Sequence, residues 1–345
     1  MQRTQFRISR IQSVALMVVL GIVVSLTTAS PAKADLTLTV AGINDGFTLS
    51  TYATLDPGRG GCCGPLGVGV LPNGNIIVNN ISPDTRWVFP DVDGQTPATS
   101  LFSTPSGGFN NPAFATTPSG VYGANTGGGV YVQFNDDGTI NHFLTGVTPH
   151  ARLGSWGNPV NGHIITDSSA GLIDIDPLAN GGLGSFRVIN SGAFGDGVTV
   201  SPDGTTAYEA TGSQICGHNI ATGVLVACYG GFPSPDGSGV ITSTNSLNGQ
   251  IIVNNNNGEV DLLDPVAGTF VAIATGGTRG DYVSPDTSNG TLFMDFSDVI
   301  ERLSCGPNCS IGGPPQPPSV PEPSTMALLG ISLAGLGLIR RFKAN

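Results

Sequence analysis

The chain has 345 residues, and its central part is strongly acidic. Residues 35–318 contain six arginines and no lysine against 23 acidic residues, which gives a net charge of about −17. Binding to nucleic acid or to an anionic lipid surface needs basic side chains that displace counterions. The charge therefore argues against both partners, whereas it is compatible with solubility outside the cell and weak attraction of divalent cations.

Residues 1–34 have the three parts of a secretory signal peptide. Three arginines lie within the first ten residues, and residues 14–26 form an apolar run too short for a permanent membrane span. Ala32 and Ala34 then supply the small residues that signal peptidase requires at its cleavage site. We expect the mature chain to begin at Asp35; a buried N-terminal helix is the alternative.

A turn signature recurs six times in the body. Its closing glycines are residues 74, 120, 162, 204, 249 and 290, so the spacings are 46, 42, 42, 45 and 41 residues. Most copies contain proline before the glycine, as in Leu71–Gly74 and Ser201–Gly204. Proline fixes φ and glycine accepts positive φ, so these segments favour tight turns.

Each turn signature is followed by short runs typical of β-strands. Ile76–Val78 and Ile251–Val253 directly follow their turns, Arg86–Phe89 is a third strand of its unit, and Phe270–Ile273 is a fourth. Short strands repeated every forty-odd residues are typical of four-stranded propeller blades. The sequence therefore predicts an all-β, six-bladed β-propeller over residues 35–310; a β-sandwich and a solenoid are the alternatives.

The last unit stops after its third strand, Val299–Leu303. An unassigned strand, Gly46–Ala53, precedes the first unit. We expect this N-terminal strand to complete the sixth blade, because a closed ring leaves no long exposed sheet edge.

Two segments resemble known propeller blades. Gly195–Gly204, which reads Gly-Asp-Gly-Val-Thr-Val-Ser-Pro-Asp-Gly, and Gly280–Asp286 are similar to blades of NHL, streptogramin-lyase and gluconolactonase propellers. The resemblance spans most of residues 45–304 and rests on general blade signals, so it supports the fold more than an activity. It implies a metal that assists catalysis at the mouth of the central channel.

The chain has six cysteines, and in an exported protein these can be oxidised. Cys216 and Cys228 flank a turn-like stretch and are predicted to pair across a hairpin, and Cys305 and Cys309 are predicted to close a small loop. Cys62 and Cys63 are adjacent; whether they pair with each other, pair with distant thiols or stay free is left open.

The C-terminus has a distinctive three-part organisation. After a Pro/Gly linker at 311–319, residues 320–345 contain Pro321-Glu322-Pro323, an apolar run at 326–339 and a basic end. This layout resembles the PEP-CTERM sorting signal, which implies a Gram-negative host, processing by an exosortase and transient inner-membrane contact through the apolar helix. It also implies delivery to the outer surface or the extracellular polymer. A permanent C-terminal anchor is the alternative.

Polar residues that just precede the innermost strand of each blade should surround one mouth of the channel. We expect Asn111, Asp196, Asp236 and Asp281 there, where oxygen ligands can hold Ca²⁺ or another divalent metal. His150 is the candidate general base. Structural roles for the aspartates, capping turns or tying blades together, are the alternative.

The remaining histidines and the first blade offer less for catalysis. His163 is expected to be a satisfied strand residue, and His142 and His218 are expected on the solvent side. The segment Gly64-Pro65-Leu66 has no counterpart of the lactonases' metal-binding glutamate.

Two hypotheses on function follow. The first is a non-catalytic cell-surface or extracellular-matrix propeller that binds a polysaccharide or a surface protein. The second is a metal-assisted lyase or lactonase acting at the channel mouth, for which His150, Asp196 and Asp281 must converge.

Overall fold

A computed structural model describes residues 35–57, 61, 64–81, 83–106, 113–123 and 130–313. The predicted signal peptide with Ala32 and Ala34, the sorting triplet Pro321–Pro323, and the positions Cys62, Cys63 and Asn111 lie outside the described residues.

Three short elements precede the first blade: β1 (Thr37–Leu38), helix α1 (Val40–Asn44) and β2 (Thr48–Thr54). Blade 1 contains β3 (Pro65–Val70), β4 (Ile76–Asn80), β5 (Thr85–Phe89) and β6 (Phe102–Pro105), with a 3₁₀ turn at Pro97–Thr99. Blade 2 contains β7 (Phe114–Thr117), β8 (Gly120–Gly123), β9 (Val132–Phe134) and β10 (Ile140–Phe143). Blade 3 contains β11 (Ala151–Gly157), β12 (Ile164–Ser168), β13 (Gly171–Asp176) and β14 (Ser185–Asn190), with the distorted helix α2 (Ala179–Gly182) before β14.

The second half of the ring repeats this arrangement. Blade 4 contains β15 (Val198–Val200), β16 (Thr206–Thr211), β17 (Gln214–Asn219) and β18 (Leu225–Gly230). Blade 5 contains β19 (Pro235–Ser243), β20 (Ile251–Asn255), β21 (Val260–Asp264) and β22 (Thr269–Thr275). Blade 6 contains β23 (Gly280–Pro285), β24 (Leu292–Phe296) and β25 (Val299–Ser304), and β26 (Cys309–Ile311) follows it.

The six sheets are antiparallel and close a ring. The innermost strands touch in the order β3, β7, β11, β15, β19 and β23, and β23 returns to β3. Apolar side chains of neighbouring blades pack face to face: Ile77 and Val88 of blade 1 lie in one cluster with Val121 and Val132 of blade 2. Because neighbouring blades cover both faces of these sheets, the second strands of blades 1 and 5 are buried along their whole length. The predicted six-bladed propeller is confirmed.

The N-terminal strand completes blade 6 as predicted. β2 pairs antiparallel with β25, with Leu49 opposite Leu303 and Thr51 opposite Glu301. Tyr52 is fully buried there, with its ring 4.8 Å from that of Phe293 and 5.0 Å from the guanidinium carbon of Arg302. The ring is therefore closed by the pairing of β2, from the N-terminal end of the body, with β25, from its C-terminal end.

Strand β26 adds a feature that the repeat pattern does not contain. It pairs with the end of β19, with Ile311 opposite Ile241, and the Gly312 N–H donates to the carbonyl oxygen of Val240. A Cβ at position 312 would lie 2.4 Å from the indole of Trp156 in blade 3. Residues 309–313 thus lie across the end of the channel at which the innermost strands finish, and we call this segment the plug.

Both predicted disulfides are present. Cys216 and Cys228 are directly opposite each other on β17 and β18, and their sulfurs are bonded. Cys305 and Cys309 close the loop that leads from β25 into the plug. No helix in the described part of the chain is long and apolar enough to span a membrane.

Candidate functional site

Three aspartates lie where the innermost strands of blades 4, 5 and 6 begin, at the end of the channel opposite the plug; we call this end the mouth. Asp196 lies two residues before β15, and Asp236 and Asp281 are the second residues of β19 and β23. Asp236 and Asp281 are buried. The repeat spacing thus placed these three residues at equivalent positions of adjacent blades.

Arg279 connects two of these carboxylates across the blade boundary. Its Nη2 lies 3.0 Å from Oδ2 of Asp236, and its Nη1 lies 3.0 Å from Oδ1 of Asp281. The third carboxylate has a different partner, since the Tyr282 hydroxyl donates to Oδ1 of Asp196 over 2.8 Å. Charge-assisted contacts of this kind are strong and geometrically specific. The mouth is therefore a cross-linked polar cluster.

Burial dominates the electrostatics of the cluster. Desolvation raises the pKa of Asp236 to about 8, the nearby charges of Asp196 and Asp281 add to the increase, and Arg279 opposes it. Burial and the adjacent Asp196 also raise the pKa of the Tyr282 hydroxyl well above its ordinary value. At neutral pH, Tyr282 is therefore a hydrogen-bond donor, and Asp236 binds a proton far more readily than an exposed aspartate.

A ring of buried polar side chains lies next to the mouth, on the second strand of five blades. Each is the fifth residue after the closing glycine of its turn, and they are Asn79, Asp167, Glu209, Asn254 and Asp295. Sequence reasoning missed them because predicted runs such as Ile76–Val78 and Ile251–Val253 ended one residue before these positions. Aligning the six repeats on their turn glycines would have shown the common position.

Two of the three acidic residues in this ring lie near a basic side chain. Asp167 lies 3.6 Å from Nε of Arg152, and Glu209 lies 3.6 Å from Nε2 of His218. Burial raises the pKa of Asp167 to about 7 and that of Glu209 to about 8. The pKa of Asp295 is raised well above its usual range, mainly by burial.

Asn254 has a structural role in this ring. Its Nδ2 donates to the backbone carbonyls of Asp281, over 2.9 Å, and of Asp295. It thereby joins blade 5 to the first two strands of blade 6.

Below the aspartates the channel narrows. The space lined by Gly154, Gly197, Gly237 and Tyr282 has no room for a water molecule. Glycine is required there because the strands approach closely: a Cβ on Gly197 would lie 1.8 Å from the carbonyl oxygen of Asp236. Between these strands, the axis of the ring is therefore packed.

The histidines differ from expectation in part. His150, the candidate general base, is exposed, and no hydrogen bond or ion pair joins its side chain to a residue within the described ranges. His163 is satisfied as expected, with Nδ1 2.8 Å from Oδ1 of Asp174. The expectation that His218 faces solvent is wrong: it is buried beside Glu209, because its strand β17 is covered by the neighbouring blade.

The predicted divalent-metal site has suitable oxygen donors, but the guanidinium of Arg279 lies between two of them. Within the described ranges, no three His, Cys, Asp or Glu side chains are grouped so that they could hold a metal ion. With Arg279 in this position, Asp196, Asp236 and Asp281 do not fit a cation. A cation site that also uses Asn111 stays a prediction.

Comparisons with known proteins bear on the tail and the fold. Residues 319–341 match the PEP-CTERM protein-sorting motif, which confirms the interpretation of the tail and implies processing by exosortase. No curated protein matches the chain.

Solved structures share the architecture at low sequence identity. A gluconolactonase from Xanthomonas campestris is 15% identical, with a TM-score of 0.54 over 78% of this chain and 94% of that one. The WD40 β-propeller domain of Doa1 is 13% identical, with a TM-score of 0.48 over 70% and 78% of the two chains. Streptogramin B lyase is 12% identical, with a TM-score of 0.45 over 75% and 97%.

At such identities the likeness to the gluconolactonase shows the fold alone, and the two lower scores add no argument. Together with the matched motif, the ring of six sheets identifies the chain as an exported six-bladed β-propeller with a PEP-CTERM sorting signal.

Proposed function

We propose that this chain is a non-catalytic binding protein of the cell surface or the extracellular polymer, which recognises a polysaccharide or a surface protein. The proposal rests on one observation: the aspartates at the mouth are already paired with other side chains. Arg279 and Tyr282 already bind the three aspartates, and the axis beneath them is packed. A general acid or base must instead reach its substrate within roughly 2.6–3.2 Å.

The position of His150 also supports binding rather than turnover. A metal-assisted lyase or lactonase requires His150, Asp196 and Asp281 around one point. Asp196 and Asp281 belong to one cluster, but the imidazole of His150 has no described contact with it.

The sorting motif supports the proposed location. Residues 319–341 follow the plug after a short Pro/Gly segment, so that the whole ring precedes the processed region. Removal of the tail would release an intact propeller to the outer surface or the extracellular polymer.

The experiment is fractionation of the native host, followed by assays on the recovered protein. We expect the protein in the extracellular polymer fraction, with an intact mass that lacks the residues beyond Pro321–Pro323. Recovery only from the inner membrane, with residues 326–345 retained, would contradict the proposed location.

The same preparation tests the absence of turnover. It should not hydrolyse gluconolactone, with or without added Ca²⁺, Mn²⁺ or Zn²⁺. Metal-dependent hydrolysis that Asp281→Asn abolishes, while an exposed control such as Asp136→Asn retains it, would overturn the non-catalytic proposal.

A further inference from the structure

A solvent-open groove lies between blades 1 and 2, on the side of the ring where the plug lies. Its volume is about 610 Å³, within the range of roughly 300–1,000 Å³ that is common for small-molecule sites. Blade 1 contributes the turn residues Pro72 and Asn73 and the ring of Phe102. Blade 2 contributes side chains from β9, β10 and the turn between them: Gln133, Phe134, Asn135, Asp136, Asp137 and Asn141.

The groove combines one exposed aromatic ring with amide and carboxylate groups. Phe102 is 48% exposed at the start of an outer strand. Amides both donate and accept hydrogen bonds, and carboxylates accept them, so together they match the hydroxyl groups of a sugar. The apolar face of a sugar ring can pack on an aromatic ring, which supplies a large contact area at low entropic cost.

Several of the polar groups are held in place before any ligand binds. Nε2 of Gln133 donates to the Ser119 carbonyl oxygen over 2.6 Å and to the Tyr122 hydroxyl over 3.1 Å. Nδ2 of Asn141 donates to Oε1 of Gln133 over 2.8 Å. Gly120 makes this arrangement possible, since a Cβ there would lie 2.7 Å from Nε2 of Gln133.

The acidic side of the groove is ordered in the same way. Oδ1 of Asp137 accepts hydrogen bonds from the backbone N–H and the hydroxyl of Thr139, which lower the pKa of Asp137. Groups that are fixed in advance lose less entropy when they bind a ligand.

The negative charge of the groove favours neutral polysaccharides over anionic ones. Asp136 and Asp137 would repel a polyanion. Arg86, the arginine beside the groove, is itself buried, with its guanidinium over the ring of Phe134. The other described arginines lie against carboxylates away from the groove: Arg152, Arg187, Arg279 and Arg302. The described surface therefore has no spare arginine to pair with a uronate or a sulfate group.

We infer that this groove binds a neutral polysaccharide chain, with Phe102 as the stacking platform and Gln133, Asp137 and Asn141 as the hydrogen-bonding side. The inference rests on the proposed binding function and gives it a site and a ligand class. It is independent of the mouth, which lies at the opposite end of the channel.

The test is native affinity electrophoresis of the mature protein in gels that contain dextran, laminarin, galactomannan or alginate. We expect at least one of the three neutral polysaccharides to retard the protein, and the polyuronate alginate to leave its mobility unchanged. Phe102→Ala should weaken binding at least tenfold. Phe102→Trp should retain binding and show a shift of tryptophan emission when the polysaccharide is added.

The matched control is Phe194→Ala. Phe194 is 45% exposed, close to the exposure of Phe102, but it lies beside Arg152 and away from the groove. It should bind within twofold of the unaltered protein. Thermal unfolding of each variant confirms that a loss of binding is not a loss of fold.

Several results would overturn the inference: retardation by alginate alone, no retardation by any neutral polysaccharide, or equal weakening by Phe102→Ala and Phe194→Ala. If the groove variants still associate with the native extracellular polymer as the unaltered protein does, the groove assignment fails and the proposed function stands. If the unaltered protein does not associate with that polymer either, the proposed function fails.

Discussion

The guanidinium of Arg279 lies 3.0 Å from a carboxylate oxygen of Asp236, a residue 43 positions earlier and in the neighbouring blade. The same guanidinium also contacts Asp281. One guanidinium therefore pairs with two buried aspartates at the mouth. This arrangement leads to the first of four predictions.

Replacing Arg279 with glutamine should destabilise the ring, because it leaves two buried carboxylates without their cation. Breaking a buried pair in this way costs about 3 kcal/mol. The loss should be largest at pH 9, above the pKa of about 8 for Asp236, and smaller at pH 6, where that carboxyl is protonated. Urea unfolding at the two pH values measures it.

Arg187→Gln is the control for this prediction. Arg187 is half exposed, and its buried partner Asp174 keeps its contact with His163, so the loss of Arg187 should cost about 1 kcal/mol or less. Equal losses for the two variants, or a larger loss for Arg279→Gln at the lower pH, would contradict the structural role assigned to Arg279.

Glu209 should make the protein less stable as the pH rises. Burial, with a contribution from Asp167, raises its pKa from an ordinary value of 4.5 to about 8. The folded state then holds the proton more tightly than the unfolded chain, so the free energy of unfolding falls as pH rises through this range. Between pH 6.5 and 8.5, Glu209→Gln should remove about 2 kcal/mol of this decrease.

Neighbouring groups define how the Glu209 experiment is done. Burial lowers the pKa of His218, and this histidine is present in both proteins. Asp167 titrates in both proteins, and only the difference between their unfolding curves is informative. The exposed control Asp136→Asn should keep the slope of the unaltered protein; a Glu209→Gln curve parallel to that of the unaltered protein would refute the prediction.

Loss of the Cys305–Cys309 disulfide should loosen the plug. Replacing both cysteines with serine removes a small loop constraint, at a cost of about 2 kcal/mol. Trp156, which is 1% exposed and lies against Gly312, should then become more accessible to acrylamide. Quenching of tryptophan fluorescence under native conditions measures this change.

The other disulfide provides a matched control for the plug. Serine at both Cys216 and Cys228 should cost about 3 kcal/mol, because the closed loop is longer. Since that bond lies in blade 4 and not in the plug, quenching should stay at its original level. Increased quenching in both variants would show that general loosening, rather than release of the plug, exposes Trp156.

A methyl group at Gly197 should force blades 4 and 5 apart. The added Cβ would lie 1.8 Å from the carbonyl oxygen of Asp236, and overpacking of this kind costs about 3 kcal/mol. Gly192→Ala is the control, because the nearest atom to its added Cβ is 3.5 Å away. Thermal unfolding compares the two, and a Gly197→Ala variant as stable as Gly192→Ala would show that the axis is more open than described.

The six-bladed ring could be predicted from the sequence because turn glycines recur at a nearly constant spacing. The missing fourth strand after Val299–Leu303 and the spare strand Gly46–Ala53 together predicted the closure that β2 and β25 make. The three aspartates were found at the mouth for the same reason, since residues at equivalent positions of a repeat lie at the same height of the ring.

The remaining features could not be read from the repeat. Arg279 reaches Asp236 through a long side chain whose direction no periodicity specifies. The plug has only three strand residues, Cys309–Ile311, too few for a pattern. The groove combines a turn of blade 1 with a turn of blade 2, and the angle between blades brings them together.

The pairing of β2 with β25 also sets an order of events for folding. Thr48 and Ser304 face each other in one sheet although 255 residues separate them in the chain. The sixth blade, and with it the closed ring, cannot form until nearly the whole body has been synthesised and exported. Contacts between such distant segments are slow to form. Until they form, β2 has an unpaired edge. The newly exported chain is therefore most vulnerable to proteases and to aggregation in that interval.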